Sequence, residues 1–382
     1  MGEDGDTINP GEQIANESDE TLGEDEEWTY SKAGVSLEGG DKTISEIWKL
    51  ISTTFQFRKS KIGRPINIKG HYAGLIDIGA GERLLAVHSD NVGTKVLVAQ
   101  LLDKYDTVGI DLVAMNVNDL VCIGAEPIAL LDYLAVEKYD PALIREIVKG
   151  VVEGARKANI AVVGGETASV PDIIHGARID KGFDLAGTSI GIVDRSSVIT
   201  GERMAPGDIV VGLASEGIHS NGLTLARRVL LGASKFTVHD VLPGTDSKIG
   251  EELLTPTKIY SPEVYEMIKE TEVHGLAHIT GGAFTKLRRI GQYAHVGFKL
   301  DKMPKPQHIF EAISKLGRVS EEEMYRTFNM GIGFCVITPK KQVEDVSAIA
   351  EKHETKAITI GEVTREQITA IKTSLGSILR LH

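Results

Sequence analysis

From Trp28 onward the chain alternates short apolar runs with longer amphipathic stretches, and that alternation restricts it to a mixed α/β fold. The clearest amphipathic stretch runs from Pro141 to Ala158. Leu143, Ile147 and Val151 recur every four residues with Ile144, Val148 and Ala155 beside them, while Arg145, Glu146, Lys149 and Glu153 take the other side. Asp140 is placed to cap this helix, and Pro141 stands where a first-turn proline is tolerated. A second helix is predicted from Thr107 to Ile123, ended by Gly124 with Pro127 just beyond. Strands are expected at Arg83 to His88, Ile128 to Val136, Ile160 to Val163, Leu185 to Val193, Ile209 to Ala214 and Gly333 to Thr338. Several are apolar on both faces, which predicts cover on both sides by helices or by a partner subunit.

A chain of 382 residues exceeds the roughly 250 to 300 at which single cores stop growing, so two domains are expected. Turn chemistry at Ala205-Pro206-Gly207-Asp208 places the boundary near 203–207. The expected division is an acidic tail over 1–27, an N-terminal domain over 28–203 and a C-terminal domain over 204–382. The tail explains the net charge of -12: residues 1–27 hold eleven Asp or Glu and no Lys or Arg. Setting those aside leaves 43 acids against 42 bases, so no basic face argues for nucleic acid. The tail is too poor in apolar residues to offset chain entropy and is expected to be disordered. Apolar runs fall far short of the ~20 residues of a membrane span. Two cysteines and no leader-like N-terminus point to a reducing cytoplasm.

The 41 glycines cluster beside acids and small hydroxyls. Gly79-Ala80-Gly81, Gly93-Thr94-Lys95, Gly164-Gly165-Glu166-Thr167, Ser220-Asn221-Gly222 and Thr280-Gly281-Gly282 are either tight turns or places where backbone N–H groups meet an anion. The dinucleotide fingerprint fails, because its third glycine from Gly79 would fall on Leu84, and no P-loop pattern occurs. Ser89-Asp90-Asn91-Val92-Gly93-Thr94-Lys95 is the best phosphate candidate. There Asp90 would ligate Mg²⁺ and Lys95 would offer a point charge to phosphates; the alternative is a turn followed by a solvated lysine.

The predicted helix at Thr107 to Ile123 carries Asp111, Asn116, Asn118 and Asp119 among apolar neighbours. Acids so placed need partners, which a divalent cation would supply; alternatively Asp111 caps the helix and Asp119 pairs with a lysine. Glu166 follows a short apolar strand, at a sheet end where α/β sites gather. Asp184 opens the next strand. His219-Ser220-Asn221-Gly222 precedes an amphipathic stretch, offering either an anion site or a plain N-cap by Ser220. His278-Ile279-Thr280-Gly281-Gly282 makes a third such junction. No metal spacing among histidines and no Ser/His/Asp order is present.

With Tyr30-Ser31-Lys32-Ala33-Gly34-Val35, Asp90 to Lys95, Gly109 to Leu120, Gly124-Ala125-Glu126-Pro127, Gly164 to Ala168, His219 to Gly222, His278 to Gly282 and Met324 to Gly333 in this order, the chain resembles the aminoimidazole ribonucleotide synthetase family. That resemblance implies an α/β (α+β) protein of two domains, with the N-terminal sheet forming a homodimer barrel and the C-terminal sheet packed by helices. It implies an ATP- and Mg²⁺-using cyclo-ligase of purine synthesis acting on formylglycinamidine ribonucleotide. By motif, Asp90 and Asp119 would hold the metal and, with Lys95 and Glu166, carry catalysis. Gly93, Thr94, Asp111 and Asn118 would join Asp90, Lys95 and Asp119 around the nucleotide. Glu166, Thr167, Asp184, His219, Ser220, Asn221, Gly281 and Gly282 would surround the substrate.

Two positions depart from the family pattern. The glycine-rich segment before the first strand is thin, reading Gly70-His71-Tyr72-Ala73-Gly74, and the usual Asp-Gly is Asp90-Asn91. Rival readings are selenophosphate synthetase-like or thiamine monophosphate kinase-like chemistry, or an inactive nucleotide-binding scaffold. The first wants an early cysteine, whereas the first here is Cys122.

Overall fold

The computed structural model describes residues 27–35, 46–68 and 70–381, so the predicted disorder of the tail falls outside the described residues except at Glu27. Strands β1 (Arg64–Ile66), β2 (Gly74–Ala80), β3 (Arg83–Asn91), β4 (Glu126–Val136), β5 (Ala161–Ser169) and β6 (Phe183–Asp194) form one sheet in the order β1-β2-β3-β6-β4-β5. Only β4 and β5 are parallel, which requires a crossover; the helix α3 (Pro141–Ala158) supplies it. A second sheet, ordered β13-β12-β9-β11-β7-β10-β8, gathers β7 (Ile209–Ala214), β8 (Gly275–His278), β9 (Gly297–Leu300), β10 (Ile332–Thr338), β11 (Ala357–Thr364), β12 (Thr369–Lys372) and β13 (Ile378–Leu381).

The α3 bounds match the periodicity, and Asp140 caps it by accepting from the amides of Ala142 and Leu143. Helix α1 (Lys95–Leu102) follows β3, and α2 (Val108–Val121) runs beneath β3 and β6. Every residue of α2 is buried, because it is covered by the first sheet, by α3, and by β8 and the helix Ser261–Glu270 from the second half. Its crossing with α3 is possible because both helices carry glycine there. A Cβ on Gly109 would stand 2.1 Å from the Val151 nitrogen.

Of the two readings of Gly79-Ala80-Gly81 the tight turn holds: it closes the β2–β3 hairpin, with Ala80 opposite Arg83 and both glycines at positive φ. The Ile160 to Val163 run, for which cover by helices or by a partner subunit was expected, leads into β5 at the sheet edge, where Val162 and Val163 are exposed in the single chain. The strand also runs through Gly164-Gly165-Glu166, so those glycines form no turn. By contrast β10 is buried along its whole length between β7 and β8.

Candidate active site

The last residues of β3 lie against α2, and alternate side chains of that strand point at the helix. His88 and Asp90, two residues apart, share this inner face; Asp90 pairs with Gly187, which itself abuts Leu112 and Asn116. The Asn116 amide donates to the Asp90 carbonyl at 3.3 Å, tying strand to helix. One helical turn further on, Asp119 reaches the same place. His88 Nε2 stands 3.6 Å from Asp119 Oδ2 and 4.0 Å from Asp90 Oδ2, so the two carboxylates converge on one imidazole.

Their electrostatics differ. Burial alone would raise the Asp119 carboxyl, but the Lys286 ammonium, the His278 hydrogen bond and His88 together hold it well below the usual carboxylate range. His278 Nδ1 lies 2.7 Å from Asp119 Oδ1, and its Nε2 lies 3.4 Å from the Asn118 amide nitrogen, which fits a proton on Nδ1. Burial lowers the His278 imidazole, against the pull of Asp119. Asp90 is pushed up, first by burial and then by the charge of Asp119. Around the pair, His88 Nε2 and the Tyr72 hydroxyl are buried without hydrogen-bond partners. Groups of that kind are rare in a finished interior and mark a place built for a polar occupant.

This arrangement suits a divalent cation. Two mutually repelling carboxylates around an unpartnered imidazole nitrogen match the one or two carboxylates that Mg²⁺ takes beside phosphate oxygens. Among the described residues no three Asp, Glu, His or Cys groups close into a cage, so phosphate would have to complete the shell.

Several expected residues are occupied otherwise. Lys95 does not face a phosphate site: it is fully buried, 2.9 Å from Asp111 Oδ1, and also donates to the Thr255 carbonyl. Asp111 accepts further from the Thr257 amide at 2.7 Å, the Thr257 hydroxyl at 2.6 Å and the Ser220 hydroxyl at 3.1 Å. Its Oδ1 is therefore a joint between the halves, and Ser220 spends its hydroxyl on that joint instead of capping the helix Leu223–Arg227. Asn118 likewise docks the loop before Ser261, donating to the Lys258 carbonyl and accepting from the Tyr260 amide at 2.8 Å. His219 is buried against Tyr260 in a left-handed conformation, and burial holds its imidazole far below the ordinary value. These five residues were expected at ligands because a buried polar stripe looks the same whether a ligand or another loop satisfies it.

Gly93 and Thr94 do stand at the start of α1 beside Asp90, and the Thr94 hydroxyl meets that of Thr224 at 3.0 Å across the halves. Asn221 faces Gly281, where an added Cβ would come 2.9 Å from its Oδ1, and Gly282 takes a left-handed turn at φ 82°. Glu166 and Asp184 are elsewhere. Glu166 pairs with Tyr133 and Asp184 with Ala135 in strand register, which puts both on the outer sheet face, away from α2. Thr167, opposite Leu134, faces inward. Sequence reasoning passed over His88 and Lys286. For His88 the signal was present, since it stands two residues before Asp90 in a strand.

Residues 70–193 match the family model described as AIR synthase related protein, N-terminal domain, and residues 205–373 match the corresponding C-terminal domain. A phosphoribosylformylglycinamidine cyclo-ligase from Thermococcus gammatolerans is 49% identical, across 88% of this chain and 96% of that protein. Proteins of the same name from Methanocaldococcus jannaschii and Methanococcus maripaludis are 48% and 44% identical, covering 88% and 92% of this chain and 92% and 96% of theirs. Among solved structures, hydrogenase maturation protein HypE in complex with ATP superposes with a TM-score of 0.58 at 22% identity, over 78% of this chain and 84% of that one. Thiamine-monophosphate kinase from Stenotrophomonas maltophilia does so at 0.57 and 18%, over 83% and 94%. These two share the fold.

Proposed function

Because the chain belongs to the AIR synthase related family, among its phosphoribosylformylglycinamidine cyclo-ligases, we propose that it closes the imidazole ring of formylglycinamidine ribonucleotide at the expense of ATP. The observation that carries this reading is the convergence of Asp90 and Asp119 on one unpartnered nitrogen where the two halves meet, in a chain so close to proteins of that name.

In this reaction the formyl amide oxygen attacks the γ-phosphorus of ATP. The bond to the β,γ-bridging oxygen breaks, its electron pair leaves on ADP, and the amide nitrogen gives up its proton. An amidine nitrogen then adds to the imidate carbon. The carbon–oxygen bond breaks with its electron pair leaving on phosphate and the attacking nitrogen losing its proton; transfer of a proton from the ring methylene carbon to the exocyclic imine nitrogen then makes the ring aromatic and leaves an amine on it. Phosphorylation turns a poor leaving group into a good one, so the protein's task is positioning and neutralising charge. Asp90 and Asp119 would hold Mg²⁺, which when bound draws charge from the phosphate oxygens. His278 keeps Asp119 oriented through Nδ1, and Asn221 with the Gly281-Gly282 turn lies where the C-terminal half would meet substrate.

The protein should release ADP and phosphate when given ATP and formylglycinamidine ribonucleotide together, and little with ATP alone. A coupled ADP-release assay decides, and equal rates with and without the ribonucleotide would end the proposal. Cys122 and Cys335 are buried free thiols, which suits a reducing cytoplasm.

The outer face of the first sheet leaves Leu131 and Tyr133 exposed with Ile128 beside them, together with Glu166. A second copy covering this face is the dimer we propose, and it would enclose Glu166 and Asp184. Sedimentation should give twice the chain mass, and Leu131→Glu should shift it to the monomer; a wild-type monomer at micromolar concentration would refute the dimer.

A further inference from the structure

Lys286 enters the Asp90–Asp119 cluster from the opposite half of the molecule. It ends the turn Ala283–Lys286, directly after Gly281-Gly282, and is 8% exposed. Its ammonium donates to the Thr280 hydroxyl and stands 5.6 Å above the centre of the Tyr72 ring. Among the described residues no carboxylate lies within ion-pair distance of it, yet Asp119 and Asp90 are near enough to favour its charge against the cost of burial. The ammonium makes no close ion pair with these acids, and the Tyr72 hydroxyl and His88 Nε2, both buried in this neighbourhood, have no hydrogen-bond partner.

We propose that Lys286 is a further catalytic residue, its ammonium contacting the phosphoryl group in flight between ATP and the amide oxygen. This rests on the cyclo-ligase reading above. Lys95, the lysine that follows the phosphate-loop motif, is committed to Asp111 and leaves the post vacant. Lys286 fills it from across the interface: metal and carboxylates on the first half, ammonium on the second, with the migrating group between them. Charge placed where it develops during transfer acts on the transition state more than on bound ATP. A contact that spans both halves also makes transfer depend on their correct juxtaposition.

The test is the binding of magnesium–ADP with and without aluminium fluoride, a mimic of the phosphoryl group in flight, to the full-length wild type and to Lys286→Met, Lys286→Gln and Lys286→Arg. Wild type should bind ADP far more tightly with the fluoride. Both neutral variants should bind ADP alone within about threefold of wild type but lose about a hundredfold or more of the fluoride-dependent gain, and kcat by a similar factor, with the KM for ATP little moved. Lys286→Arg should recover part of both. Two neutral variants of different shape guard against one failing to fold, and thermal melting identifies such a failure. A neutral variant that gains as much from the fluoride as wild type overturns the proposal, as does uniform loss of ADP binding and melting temperature, which marks a structural counter-ion. Absence of wild-type turnover with the ribonucleotide would instead overturn the function itself.

Discussion

Asp119→Asn is expected to lower kcat by about a hundredfold to a thousandfold and to leave the fold intact. Asn keeps the shape of the side chain and an oxygen that can accept from His278 Nδ1, so the local hydrogen bond at 2.7 Å survives. What it loses is the negative charge that Lys286, His278 and His88 stabilise in the wild type. Without it one of the two metal-facing carboxylates is gone, and charge neutralisation of this kind contributes about 3 to 4 kcal/mol to a transition state. The measurement is ADP release under saturating ATP and substrate, alongside a melting curve. Unchanged turnover would remove the metal assignment altogether.

The second large effect concerns stability. Lys95 and Asp111 form an ion pair with no solvent exposure on either side chain. Burial lowers the lysine, and Asp111 opposes that shift and so favours the lysine's charge. Lys95→Met or Asp111→Leu alone strands a charge in the interior, and breaking such a pair from one side costs about 3 to 5 kcal/mol. The double variant, which strands none, is expected to recover a substantial part. Urea unfolding of the three proteins measures this; single variants that unfold at the wild-type midpoint would show that water reaches the pair.

Much of the fold was legible because its elements obey their own periodicities. The α3 helix and the β7 strand fall on the residues that spacing indicates, since Leu143, Ile147 and Val151 define one stripe and Ile209 to Ala214 one apolar run. The polar residues of α2 were legible as needing partners, but which partner was not. Asp111 meets Thr257, 146 residues away, and Asn118 meets Tyr260, 142 away, and no local pattern encodes contacts so distant. Lys95 was read outward from its motif, yet a residue opening a helix may face either side, and packing turned it in. Lys286 escaped notice for the reverse reason: in a basic amphipathic run with Arg288 and Arg289 a buried lysine looks like a solvated one. Glu166 was read at a sheet end among the residues around the substrate, whereas the strand continues through it and carries it to the outer face.

One oxygen atom, Oδ1 of Asp111, takes hydrogen bonds from Lys95 on its own side and from Ser220 and both donors of Thr257 on the other. Prising the halves apart at that point would strip the atom of three donors at once in a place water does not reach. The seam is therefore fastened at this point by a contact that is costly to open.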